Sequence, residues 1–235
     1  MIDLNYVPKA AGADTHIADW AHFNSIDYNA TTDQVMVSVR EFCEIRIVDH
    51  STTTEQAAGH DGGNDGEGGD LLWRYGNNRA WNGGSRQTLY WQHNAQWITS
   101  DLPDAGNILV YNNGWFRNNT GRSYSSVMEL RQSPSAYGVA SVEWSFSGPP
   151  SFFSPIVSGT QRLPNGNTLV DVGATGTLFE VTASKRVVWR YVNPDTVAGP
   201  VRQGSVPAAL NVTGTPGVRM NITFRAVRYA PTYSG

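Results

Sequence analysis

Cysteine, charge, long apolar runs and helical periodicity are all scarce in this chain, and each shortage closes off a class of protein. Cys43 is the sole cysteine, so no intramolecular disulfide forms and no cysteine pair can hold a metal; the redox compartment stays open. Charged residues make up 16% of the 235 positions, with 17 basic against 20 acidic for a net charge of −3. That balance leaves no electrostatic footprint for nucleic acid or an anionic membrane. No run of apolar residues is long enough for a membrane-spanning helix. The start, "MIDLNYVPKAAGADTH", lacks a basic n-region followed by an apolar h-region and does not read as a secretory signal. There is no Gly-x-Ser-x-Gly elbow, P-loop or His-Glu-x-x-His, so serine-triad hydrolysis is unsupported. No carboxylate pair at glycosidase spacing can be argued either.

Present instead are glycine (24), proline (12) and short β-branched runs, which read as an all-β chain. A unit of four strands recurs three times, roughly sixty to seventy residues apart. The first unit runs "HFNSIDY" (22–28), "QVMVSV" (34–39), "EIRIVDH" (44–50) and "DLLWRYG" (70–76). The second runs "HNAQWI" (93–98), "NILVYNN" (107–113), "SVMEL" (126–130) and "VEWSF" (142–146). The third runs "SGTQRLP" (158–164), "NTLVDVG" (167–173), "TLFEVT" (177–182) and "VVWRY" (187–191). Each fourth strand carries a tryptophan followed by an aromatic.

This predicts one partial β-propeller domain over 1–235, with blades at about 19–76, 90–146 and 155–191 and terminal strands within 211–230. A β-sandwich of similar meanders is the alternative. Three blades do not close a ring. The expectation is therefore a piece of a longer protein, or a ring completed by self-association of another copy through open blade faces. The Gly/Asp-rich stretch 51–70 reads as a mobile surface loop; its acidic spacing does not fit an EF-hand.

Of the five histidines, His16, His50 and His60 receive no role. His22 and His93 each open the first strand of a blade, the strand nearest a propeller's central channel, and are expected at equivalent places. In "YWQHNAQW" strict alternation puts Trp91, His93, Ala95 and Trp97 on one face. The two tryptophans then either wall a ligand or pack between blades, and His93 taken alone reads as a core histidine. Arg40 ends the second strand of the blade that His22 opens. Two imidazoles and a guanidinium, with no acidic cluster beside them, suit a sulfate or phosphate ester better than a metal.

The ordered segments "DWAHFNSIDYNATTDQVMVSVREFCEIRIVDH", "YWQHNAQWI", "GNILVYNNG" and "SGTQRLPNGNTLV" resemble those of the bacterial arylsulfotransferases over residues 19–230. The resemblance implies a six-bladed propeller of which this chain is about the C-terminal half. It implies sulfuryl transfer from an aryl sulfate to a phenol, with no metal or organic cofactor, in the periplasm if an upstream signal exists. It places the nucleophile at His93, the His-x-Asn element at His22 and Asn24, the oxyanion-binding arginine at Arg40 and a site-lining hydroxyl near Ser158. A further family histidine from an earlier blade has no counterpart here. A non-catalytic binding propeller, or a propeller hydrolase or lyase acting on an anionic substrate, are the competing readings.

Overall fold

The structure is a computed structural model that describes residues 19–115, 117, 123–133, 137–148, 152–212 and 215–233; His16 lies outside them. Among the described residues twelve strands form three separate four-stranded antiparallel sheets in simple sequence order. The first holds β1 (Phe23–Asn29), β2 (Gln34–Val39), β3 (Glu44–Asp49) and β4 (Leu71–Tyr75). The second holds β5 (His93–Trp97), β6 (Ile108–Asn112), β7 (Ser126–Gln132) and β8 (Ala140–Phe146). The third holds β9 (Gly159–Arg162), β10 (Thr168–Val172), β11 (Thr177–Val181) and β12 (Val187–Val192). These are three consecutive propeller blades.

The core lies between the blades. Met36, Ile45, Ile47, Trp73 and Tyr75 of the first blade pack on Ala95, Trp97, Ile108, Val110 and Leu130 of the second. Leu109, Tyr111 and Val127 turn the other way, onto Val170, Val172, Phe179 and Val181 of the third. The middle blade is covered on both faces, which is why β6 reads as an unbroken apolar run while β1 leaves Phe23, Ile26 and Tyr28 exposed.

The repeated tryptophan has a structural cause. In each blade the fourth strand gains one extra residue beside it, opposite Ile47, Glu129 and Glu180 respectively. In each blade the tryptophan then stacks on the aromatic two positions later: Trp73 on Tyr75 at 5.7 Å, Trp144 on Phe146 at 6.3 Å, Trp189 on Tyr191 at 6.1 Å.

Inner strands are stapled to one another by side chains. Ser25 Oγ accepts from Ala95 N at 3.0 Å and Asp27 from Trp97 N at 2.7 Å, tying β1 to β5. Asn94 Oδ1 accepts from Thr160 N at 2.8 Å, tying β5 to β9. Gln161 accepts from Arg228 N at 2.7 Å, so the tail takes the next place in the series.

Two expectations change here. Residues 211–230 form no strand among the described residues; only bridges such as Ala209–Arg219 and Val212–Thr215 occur nearby. Part of their backbone pairs instead with third-blade loops, Arg219 N donating to Ala174 O (2.7 Å) and Thr223 N to Gly173 O (2.9 Å). The stretch 51–70 is an organised loop. The Asp49 carboxylate gathers Ser51 N at 2.8 Å and Asp65 N at 3.0 Å, and Thr53 caps a short helix, Thr54–Ala57, through a capping box with Gln56. Among the described residues no group of acidic, histidine or cysteine side chains could hold a metal ion.

Candidate active site

His93 is the first residue of β5 and is held from both sides. Gln92 is fully buried, and its amide donates to Ser38 Oγ (3.0 Å) and Glu44 O (2.9 Å) of the first blade. Asn94 is clamped to the third blade through Thr160 N. Between these anchors the backbone of His93 has little freedom to move.

A β-bulge then sets its direction. His93 pairs with Tyr111 and Gln96 with Leu109, so one extra residue sits in β5, where Asn94 has φ = 51°. The bulge breaks the alternation expected from sequence: Ala95 and Trp97 face the first blade, and His93 is left on the opposite face. Bulges of this kind re-aim side chains beside active sites. β1 carries the same insertion at Asn24, between Phe23 and Ser25.

His93 is 4% exposed. Its Nδ1 lies 2.8 Å from Asn113 Oδ1 and 3.1 Å from Trp91 O. Burial, reinforced by the Arg40 charge, pushes its pKa down to about 4 against the pull of those two hydrogen bonds. The ring is neutral across the physiological range.

Arg40 lies one residue beyond β2, where its N–H donates to His22 O at 3.1 Å and closes the end of the first-blade ladder. Its guanidinium stacks 3.6 Å over the Trp91 ring and pairs with the Glu41 carboxylate. Burial lowers the Arg40 pKa, while Glu41 opposes that shift. Burial in turn pushes the Glu41 carboxyl up, against Arg40.

His22 is more open than His93 and presents Nδ1 to the Asp19 carboxylate. It has φ = 47°, a left-handed backbone that a non-glycine residue adopts only under constraint. The two histidines are not at equivalent places. His93 opens β5 and pairs with Tyr111, whereas His22 stands before β1 and offers its carbonyl to Arg40 N.

His22, Arg40 and His93 are therefore brought together, close enough for the first two to act on the third electrostatically. Asn24 joins them through its backbone-directed amide: Nδ2 donates to Gln92 O at 2.7 Å, and Oδ1 has no hydrogen-bond partner among the described residues. Ser158 is placed differently. Its hydroxyl donates to Ile156 O at 3.3 Å and accepts from Gly173 N at 3.0 Å, so it is committed to the third-blade turn. Trp97 belongs to the core and Trp91 to the site.

Sequence reading missed Asp19, Glu41 and Asn113, and two single carboxylates stand at the site, one on His22 and one on Arg40. Asp19 stands three positions before His22 and Glu41 directly after Arg40. Their spacing was visible, but the direction of their side chains was not.

The family of proteins described as Arylsulfotransferase (ASST) matches residues 5–200. This chain belongs to the arylsulfotransferase family. No curated protein matches it. One similar solved structure, of a protein of unknown function from Bacteroides caccae at 1.35 Å resolution, is 15% identical with a TM-score of 0.42. The match covers 72% of this chain and 45% of that one, so this chain spans less than half of the length of the protein it matches.

Proposed function

We propose that this chain carries the sulfuryl-accepting histidine of an arylsulfotransferase acting by double displacement. The unprotonated ring nitrogen of His93 attacks the sulfur of an aryl sulfate. A nitrogen–sulfur bond forms, the sulfur–oxygen bond to the ring breaks, and the phenolate leaves with the bonding pair. Arg40 holds non-bridging sulfate oxygens, and His22 exchanges a proton with the departing oxygen or with the entering phenol. A second phenol then attacks the sulfohistidine and restores free His93. Asn24 enters this reading as a substrate-side residue, and Ser158 contributes through the third-blade turn that its hydroxyl holds.

The observation that carries it is the neutral, buried His93 imidazole within electrostatic reach of a guanidinium that lies 3.6 Å over the Trp91 ring. A nucleophilic imidazole must be unprotonated, and a developing sulfate charge needs a fixed planar donor. The test is to incubate the protein with p-nitrophenyl sulfate and map the modified residue by mass spectrometry. One sulfuryl group on His93, discharged by added phenol, is expected. Release of p-nitrophenol that is independent of phenol and leaves His93 unmodified would point to a hydrolase. Neither release nor labelling would favour a binding module.

Exposed Phe23 and Ile26 on the first blade, and Val187 and Val188 on the third, support association through the open blade faces. Sedimentation should show a concentration-dependent dimer; a strict monomer would end that reading.

A further inference from the structure

We infer that Asn113 is a positioning residue that fixes the tautomer of His93, placing the proton on Nδ1 and the attacking lone pair on Nε2, and that the third blade sets it. This deepens the proposed function and rests on it for its catalytic meaning, though the assignment of the ring proton stands on geometry alone.

Asn113 follows β6 and is fully buried. Its amide nitrogen is spent on two carbonyls of the third-blade approach, Ser154 O at 2.9 Å and Val157 O at 3.0 Å. Both are acceptors, so the amide cannot be turned round, and the atom facing His93 is the carbonyl Oδ1. The other neighbour of Nδ1 is Trp91 O, again an acceptor. A nitrogen between two acceptors carries the hydrogen, and a neutral imidazole has one to give. Nε2 is left with its lone pair.

The segment that orients Asn113 is itself held under constraint. Val157 and Ser158 have φ = 49° and 90°, two successive left-handed residues without a glycine, one of them β-branched. Ser158 N donates to Phe224 O at 3.1 Å, and Ser158 Oγ takes Gly173 N. Ser154 Oγ accepts from Ala174 N at 3.0 Å. These bonds hold the turn so that Val157 O meets the amide. Ser158 thus acts on the site through the backbone it fixes.

An amide in this place differs in effect from a carboxylate. It accepts from Nδ1 without adding a negative charge that would favour the protonated ring. The titratable groups that act on His93, Arg40 and His22, both come from the first blade, while its own blade and the third offer neutral oxygens.

The test is nitrogen NMR of histidine-labelled full chain, followed through pH, on the wild type and on Asn113→Asp and Asn113→Ala. The wild type should show the Nδ1–H tautomer and stay neutral down to about pH 4. Asn113→Asp should raise the titration of His93 by about one unit or more. Asn113→Ala should bring in the Nε2–H tautomer and lower kcat with KM little changed. An Nε2–H ring in the wild type overturns the inference, and it does so even if neither variant folds. So does an Asn113→Ala protein with unaltered tautomer and pH behaviour. Sulfuryl trapped on Nδ1 would refute the assignment of the nucleophilic atom while upholding transfer. An Nδ1–H ring that never accepts sulfuryl would uphold the assignment and end the functional reading.

Discussion

His22 and His93 share one site and are built in opposite ways. His93 is buried, faces a neutral amide and stays uncharged because burial disfavours the imidazolium. His22 is half-open, sits on a strained backbone and faces the Asp19 carboxylate. The difference teaches that residue type alone does not assign a role. A buried ring against an amide suits a nucleophile, which must keep a lone pair, and an exposed ring against a carboxylate suits proton exchange. Either half of that contrast can be broken without the other.

The largest effect belongs to His93. His93→Gln keeps an amide able to reach Asn113 and Trp91 O but removes the nucleophile, so transfer from p-nitrophenyl sulfate should fall by about three orders of magnitude or more. His22→Gln should retain labelling of His93 while slowing turnover by about a hundredfold. Equal losses of labelling in both variants would erase the distinction. Arg40→Lys comes next. It loses the planar fork and the face laid on Trp91, and should cost about a hundredfold in kcat/KM. Rates near wild type would remove Arg40 from oxyanion binding.

Acidity tests the buried half alone. Unfolded, His93 binds a proton below its ordinary 6.5; folded, it stays neutral to about 4. As pH falls through that window the unfolded chain takes up a proton that the native chain refuses, so stability drops, by about 3 kcal/mol in total. Below the folded value no further loss comes from this group. Urea unfolding at pH 7 and pH 5 should show a smaller drop for His93→Gln than for the wild type. The same shift puts the acid limb of sulfuryl uptake by His93 near pH 4, and a limb near 6.5 would mean that the ring is not shielded as described.

Sequence made the frame legible and left the aim of the site unread. The three four-strand units and their tryptophans follow from side-chain alternation and turn residues, which are local, and the strands fall where those patterns put them. The residues around His93 were readable as a strand, but the bulge at Asn94 was not, because an inserted residue depends on the partner strand it faces. Strict alternation therefore put His93 on the wrong face. Asn113 was passed over for a related reason: its meaning lies in Ser154 and Val157, some forty positions away, and no spacing rule announces them. The tail 211–230 has strand-like composition, yet some of its backbone donors, those of Arg219 and Thr223 among them, go to third-blade loops.

The smallest expected effect tests the open half. Asp19 and His22 are both substantially exposed, at 63% and 36% of their side-chain surface, so water and salt compete for the pair. Exposed pairs are worth about 0–1 kcal/mol, which caps the change for Asp19→Asn at about fivefold in turnover. Raising ionic strength should shrink the wild type toward the variant, since screening removes what the substitution removes. Labelling of His93 in single turnover should be untouched, because Asn113 and Trp91 O hold that ring independently. A hundredfold loss for Asp19→Asn that salt does not reproduce would mean that the carboxylate does more than bias an exposed imidazole, and the contrast between the two histidines would have to be redrawn around a buried dyad on each.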